Sequence, residues 1–467
     1  MADNTHDNTD YTVTDKAKMT LDHAPAGLYL PGIDETTHKE AVRLCARDFL
    51  EHHVFFNDRG FHNHLNHHLL SVFSLGAPAK RLQEVFDQNK EILLPSHSPM
   101  DVDITTENFT EHFSNERCYP NYVSFFQREL DAAGDNWKAV ACDYFFDPRV
   151  FPLGMSGIFH PFIQLGYGLE FESKTIVATA LAQTCVHSST FKTMFSEHVF
   201  ADICTEELED DNHGLSLMQI LDKMRQDPLS ISMEFSAVPS SKVSITDAAE
   251  RLAIKYSNLW SVPTTKEGIS AKYHELLSVV ALVYGSMTRP GYKLLLHFAV
   301  MHCVTSAYFL PIYFDCLPIE RQAQILKAHC AVVLATFALH GSPELYITPE
   351  ISSKDTHCTV SDLQNNVNNQ WLDVFSGAIA SNDMHVPKVV RTLWRGSLLY
   401  SFPSKLTFDN DYTLPPPVNW LYLARITVDT IDFSSFRDPQ QQAKEGKRFW
   451  TFGMVGHDKF WDTYPKE

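Results

Sequence analysis

The sequence predicts an all-α protein, a single large helical domain. Apolar residues recur at three- and four-residue spacing along most of the chain. Strand-like alternation is scarce and never interleaves with helical segments in βαβ order. Histidine supplies 23 of 467 residues, about twice the share in an average composition, and its clusters fall in or beside apolar helical stretches.

Taken in chain order, the first 24 residues are rich in Asp, Asn and Thr and have little to bury. They are expected to form a disordered tail before one domain over residues 25–467. From Thr37 the helical period takes over, with Ala41, Leu44, Cys45, Asp48 and Phe49 on one stripe. Leu65, Leu69, Val72 and Phe73 form the next, stopped by Gly76 with Pro78 beyond. Ile245 to Leu259 opens on Thr246-Asp247 and keeps the 3.6 period. Leu294 to Phe314 and Arg321 to Leu339 are apolar nearly all round, as helices inside a large protein are. Breakers separate these stretches at Pro95–Pro99, Glu206–Gly214, Pro263–Gly268, Gly341–Pro349 and Pro415–Pro417, and no repeat of fixed period occurs.

Charge and motif content narrow the function. With 38 Lys and Arg against 57 Asp and Glu, the formal net charge of −19 repels nucleic acid and anionic lipid. A neutral or weakly acidic small molecule remains allowed. The N-terminal segment lacks the basic and apolar regions of a secretory signal. Apolar runs such as Leu276–Val283 and Ala331–Leu339 are short for a bilayer. Nine scattered cysteines without a C-x-x-C read as reduced thiols, so a cytoplasmic location is expected. No P-loop, G-x-S-x-G, H-E-x-x-H or EF-hand occurs, and Gly166-Tyr167-Gly168 falls short of a dinucleotide fingerprint. An amidohydrolase would combine His62-x-His64 with a carbamylated lysine. That site needs a β/α barrel and a lysine before the later histidines, whereas Lys388 comes last.

Four histidine groups carry the candidate chemistry. In HNHLNHHLL, His62, His64, His67 and His68 are either a His-rich polar face or a set of ligands, imidazole being the commonest metal ligand. His160 precedes Pro161 at a helix mouth, with Gln164 and Tyr167 at i+4 and i+7, and reads as a cap, a satisfied core residue or a ligand. His297 and His302 lie five apart, about 140° around a helix, too far round to share one site easily. A buried imidazole there needs a hydrogen-bond partner or a metal. In NDMHVPKVVRTLW, Asp383 suits an N-cap, and His385 and Lys388 share a face three residues apart. By itself Lys388 reads as a solvated helix lysine.

In order, FHNHLNHHLLSVFSLGA, HPFIQLGYGLEF, MHCVTSAYF and NDMHVPKVVRTL, with the Trp-rich RFWTFGMVGHDKFW, resemble the questin-oxidase-like family of fungal secondary-metabolism enzymes over about residues 40–460. The resemblance implies an all-helical oxygenase acting with O2 on an anthraquinone-type polyketide. It implies Fe(II) held by His64, His160, His302, His385 and Lys388, the last as its CO2-derived carbamate. Asn63-His64 matches the family's Asn-His pair best, whereas the helical stripe points His62 and His68 inward, and His67 remains a further candidate. Nitrogen donors with one hard oxygen suit Fe(II). Five protein ligands leave one position for O2, with the aromatic substrate beside the metal in an apolar pocket. Tyr167 and Gln164 are expected to touch the substrate or support the ligands. Two alternatives stand beside ring-cleaving dioxygenation. One is an NADPH-dependent Baeyer–Villiger oxidase, with NADPH as reductant, and the other a non-catalytic helical binding protein.

Overall fold

The structure, a computed structural model, describes residues 10–22, 30–56, 61–195, 214–235, 246–352, 369–400, 417–431 and 450–467. Among these the regular elements are helices, with isolated bridges and no strand. The all-α expectation holds. Contacts divide the chain into two helical units, Met1–Ser189 with Ala378–Lys388, and Thr190–Gly377 with Val389–Glu467.

In the first unit, Asp34 starts the helix Glu35–Glu51 with a capping box. Its carboxylate accepts from Thr37 N at 2.8 Å, and Thr37 Oγ1 accepts from Asp34 N at 2.8 Å. Ala41, Leu44 and Cys45 face inward as the periodicity requires. The helix Leu65–Ser74 is buried along its whole length, packed against Glu35–Glu51, Ala79–Asn89 and His160–Glu170. His160–Glu170 is equally buried and lies along Lys174–Val186, which also covers Tyr119–Ala132. Gly168 sets the closeness of the first pair: a Cβ there would sit 2.6 Å from Val177 Cγ2 and 2.7 Å from Val177 N.

Residues 10–22 of the expected disordered tail carry structure. Asp10–Ala17 is helical, and Ala17, Met19 and Leu21 are buried. Thr175 Oγ1 donates to Ala17 O at 2.9 Å, and Asp22 N donates to Phe171 O at 2.7 Å. These few apolar side chains find long-range partners that local composition does not reveal.

The segment that returns to the first unit is held by one guanidinium. Arg81 donates from Nε to Ile379 O at 2.7 Å and from Nη2 to Ser381 O at 2.9 Å and Asn382 Oδ1 at 3.0 Å. It thereby satisfies carbonyls at the end of the helix Gln370–Ala380, which that helix cannot bond itself.

In the second unit, Thr246 Oγ1 caps the helix Asp247–Ser257 through Ala249 N at 3.2 Å; Ile245 lies outside the described residues. That helix packs along Ile319–Leu339, which also meets Lys266–Ser286 and Phe298–Ala307. Ile319–Leu339 has the length and composition to cross a membrane, unlike the shorter runs read from the sequence, yet 83% of its apolar window is buried within the protein. It is a core helix. The single helix expected over Leu294–Phe314 is instead two, Phe298–Ala307 and Leu310–Phe314. Before them the chain is extended and pairs with a distant segment: Thr451 N donates to Leu296 O and Phe298 N to Thr451 O, each at 2.9 Å. Pro311, lacking an N–H, starts the second helix. The breaker from Glu206 to His213, and Pro415 and Pro416, lie outside the described residues. The seven described cysteines are free thiols, six buried and Cys316 half-buried.

Gly168→Ala drives a methyl group into the Val177 backbone and is expected to cost about 1–3 kcal/mol by overpacking, read as a lower urea midpoint. Acid should weaken the second unit. Burial pushes His274 down to about 4 and His329 to about 3. Below the ordinary histidine pKa the unfolded chain therefore binds protons that the folded chain refuses, and stability falls as pH drops from about 6.5 toward 4. The urea midpoint should be lower at pH 5 than at pH 7, and replacing both residues with Gln should flatten that slope.

Candidate metal centre

Three chain segments bring histidines together in the first unit. The first approaches as an extended strand-like stretch, where Phe55 and His62 form an antiparallel bridge, and turns into a helix after His64. Asn63 makes that turn. Its Oδ1 accepts from Leu65 N at 2.8 Å, and its Nδ2 donates to Asp48 Oδ1 at 2.9 Å. The second segment reaches His160 through three consecutive left-handed residues, Gly157 (φ 58°), Ile158 (φ 54°) and Phe159 (φ 66°). For Ile158 and Phe159 this backbone costs on the order of 1–3 kcal/mol each. The strain is held where it aims an imidazole. In the third, Asp383 Oδ1 accepts from His385 N at 2.7 Å and Val386 N at 3.2 Å; the helix Val386–Tyr400 starts at Val386, so the N-cap position falls on His385 and the expected cap, Asp383, acts from two residues earlier.

Carbonyl groups fix the tautomers. His64 Nδ1 donates to His62 O at 2.6 Å, and His160 Nδ1 donates to Gly157 O. Because a carbonyl only accepts, the protons sit on Nδ1 and the lone pairs on Nε2. Those two Nε2 atoms face each other at 2.8 Å. Two lone pairs at that distance repel unless a proton or a metal ion lies between them. Burial first, then the Lys388 charge, holds both imidazoles well below the usual histidine range, which disfavours a bridging proton at neutral pH. Two nitrogens each about 2.1 Å from one ion, at right angles, lie about 3.0 Å apart. The pair therefore fits a divalent metal.

His385 joins them, its ring 4.8 Å from that of His64 and its Nδ1 3.3 Å from Asp383 Oδ1, the carboxylate–imidazole arrangement that orients many metal ligands. Burial, then Lys388, pushes His385 down to about 4. Lys388 is itself buried, 3% exposed rather than solvated, and burial brings its amine down to about 7. Of the five expected ligands, the first unit thus gathers His64, His160, His385 and Lys388. His302 belongs to the second unit, where it is fully buried and donates from Nδ1 to Phe298 O at 2.9 Å, leaving Nε2 as its donor atom.

The other histidines of the first cluster separate clearly. His62 stacks on His160, rings 4.0 Å apart and 9° from parallel. His67 meets the edge of His64 at 5.4 Å and stacks on Tyr167 at 4.9 Å. His68 is fully buried and lies within reach of the Arg81 charge. Tyr167 and Gln164 lie beside His67: the Tyr167 hydroxyl is 2.5 Å from Ser71 Oγ, and Gln164 donates to Thr179 Oγ1 at 3.2 Å. Sequence reading missed His187, which stacks on His62 at 5.1 Å and 1°. A lone histidine capping the end of Lys174–Val186 gives no pattern to find.

Similar proteins are named as oxidoreductases and oxidases. The chain is 26% identical over 463 residues to the oxidoreductase AflY of Aspergillus parasiticus, covering 95% of this chain and 88% of that one. It is 28% identical over 406 residues to the Baeyer-Villiger oxidase mdpL of Emericella nidulans, covering 81% and 84%. It is 26% identical over 452 residues to a questin oxidase of Aspergillus fumigatus, covering 91% and 93%. Residues 61–393, which include every expected ligand, match the family described as questin oxidase-like, and the chain is an oxidoreductase belonging to that family.

Proposed function

We propose that this oxidoreductase is a non-haem iron oxygenase that opens a ring of an anthraquinone-type polyketide. The observation that carries the reading is the facing Nε2 pair of His64 and His160, each with its Nδ1–H given to a carbonyl. His385 and the proposed carbamate of Lys388 complete the first unit's donors. His302 enters on the sequence resemblance and on its own fixed tautomer. When bound, Fe(II) would supply the electrons that make O2 reactive.

The protein's own groups do the rest. Lys388, held partly as a neutral amine by burial, attacks CO2 through Nζ and releases a proton, and the carbamate oxygens then offer an anionic donor. Asp383 keeps His385 oriented from behind. His67, between Tyr167 and His64, has the place of a group that contacts the substrate or supports His64, with the Tyr167 ring stacked on its face. The surrounding helices bury the cluster and exclude bulk water.

A second reading is supported by relatives named Baeyer-Villiger oxidases. Such a reaction inserts one oxygen atom into a C–C bond beside a carbonyl, reduces the other to water, and draws two electrons from NADPH. Ring-cleaving dioxygenation places both atoms of O2 in the product. We favour the latter, with any role of NADPH confined to reducing the quinone beforehand.

Two experiments test these assignments. Anaerobic reconstitution should load about one iron per chain, and His302→Ala should lower that occupancy. Lys388→Ala should lose about 100-fold or more in turnover with a small change in melting temperature, while bicarbonate during reconstitution raises wild-type activity alone. A Lys388→Ala enzyme with normal turnover removes lysine from the ligand set. In the second, hydroxyanthraquinones reduced chemically under anaerobic conditions are mixed with 18O2. Uptake of two labelled atoms without NADPH is expected, and one labelled atom with strict NADPH dependence selects the Baeyer–Villiger course.

A further inference from the structure

The ring stack behind His160 is more elaborate than burial requires. His160, His62 and His187 lie parallel, with successive centroids 4.0 Å and 5.1 Å apart and planes 9° and 1° from parallel. Phe55 closes the side edge-on, 5.4 Å from His62 and 6.2 Å from His187. The last ring is anchored by His187 Nδ1, which donates to Ser188 O at 2.6 Å. His62 links two ligands, because its carbonyl accepts from His64 while its ring lies flat on His160.

Gly157 ties the stack to the strained approach. Its carbonyl accepts from His160, and its α-carbon leaves no room for a side chain, since a Cβ would collide with His187 Nε2 and sit 3.1 Å from His62 Cε1. One face of the stack thus rests on the left-handed turn that delivers His160. The purpose follows from imidazole geometry. The lone pair of Nε2 lies in the ring plane, and rotation about the terminal side-chain bond is soft. A hydrogen bond at Nδ1 fixes one point of that plane, and a parallel neighbour fixes the rest.

We propose that His187, supported against Gly157 and acting through His62, is a positioning residue that sets the plane of the His160 imidazole. Its tie to metal affinity rests on the metal reading above, whereas its effect on His160 does not. Groups hydrogen-bonded to a ligand, when removed, typically change metal affinity about 10–100-fold, and a stacked ring acting through His62 belongs at the low end of that range.

The test uses the full chain and three variants, His187→Ala, His187→Phe and Gly157→Ala, with two readouts. In metal-free, 15N-histidine-labelled protein, the His160 Nδ1–H resonance reports the hydrogen bond to Gly157. In the second, Co(II) is titrated and followed by its visible absorption. His187→Ala should shift or broaden the His160 resonance and weaken Co(II) binding about 10-fold or more. His187→Phe, which keeps a flat ring without nitrogen, should restore both, and Gly157→Ala should resemble His187→Ala. An unchanged His160 resonance in His187→Ala overturns the proposal. Failure of Phe to restore that resonance overturns it too, because the nitrogen and not the stack would then matter. If the wild-type chain takes no Co(II) while the resonance still moves in His187→Ala and returns in His187→Phe, the stack stands and the metal reading falls.

Discussion

A neutral imidazole has one N–H and one lone pair, and in a dry interior the place given to the first decides the direction of the second. His64 and His160 both surrender Nδ1–H to main-chain carbonyls, so both lone pairs are committed to Nε2 before any ligand arrives. The rest of the first unit serves that commitment. Asn63 turns the chain so that His62 O lies under His64, and the left-handed run at 157–159 brings Gly157 O under His160. Neither carbonyl belongs to a regular helix, which frees both to accept from side chains.

The electrostatics of the cluster follow from the same burial. Neutral imidazoles crowd one another and an amine, while the Asp383 carboxylate acts on His385, Lys388 and His68. A doubly charged ion among neutral nitrogens would be poorly compensated, and an anionic oxygen on Lys388 would relieve that imbalance. Burial that depresses a lysine discourages the ammonium, and it would favour the amine in the proposed reaction with CO2.

Much of this was legible in the sequence, for reasons that differ by residue. Helix starts at Glu35 and Asp247 follow from capping chemistry written in neighbouring residues, and the stripe Leu65–Phe73 follows from periodicity. The crowded histidines are ambiguous in the sequence because helical phase does not extend to residues that precede the helix: His62 and His64 lie before Leu65. Lys388 looked like a surface lysine because a three-residue spacing to His385 says which face it shares and nothing about what covers that face. His187 and the break before Phe298 depend on partners distant in sequence, among them His62 and Thr451, and no local pattern encodes them.

The clasp of Arg81 on the carbonyls of Ile379 and Ser381 has a consequence for synthesis of the chain. A ribosome delivers the first unit's helices early, but His385 and Lys388 emerge only after Thr190–Gly377 has been made. The guanidinium must wait with its acceptors absent, and the donor set stays incomplete through most of translation. Closing so long an excursion costs only slightly more than closing a short one, since the entropy grows with the logarithm of its length. The nascent protein thus cannot assemble the proposed donor set until His385 and Lys388 have been supplied.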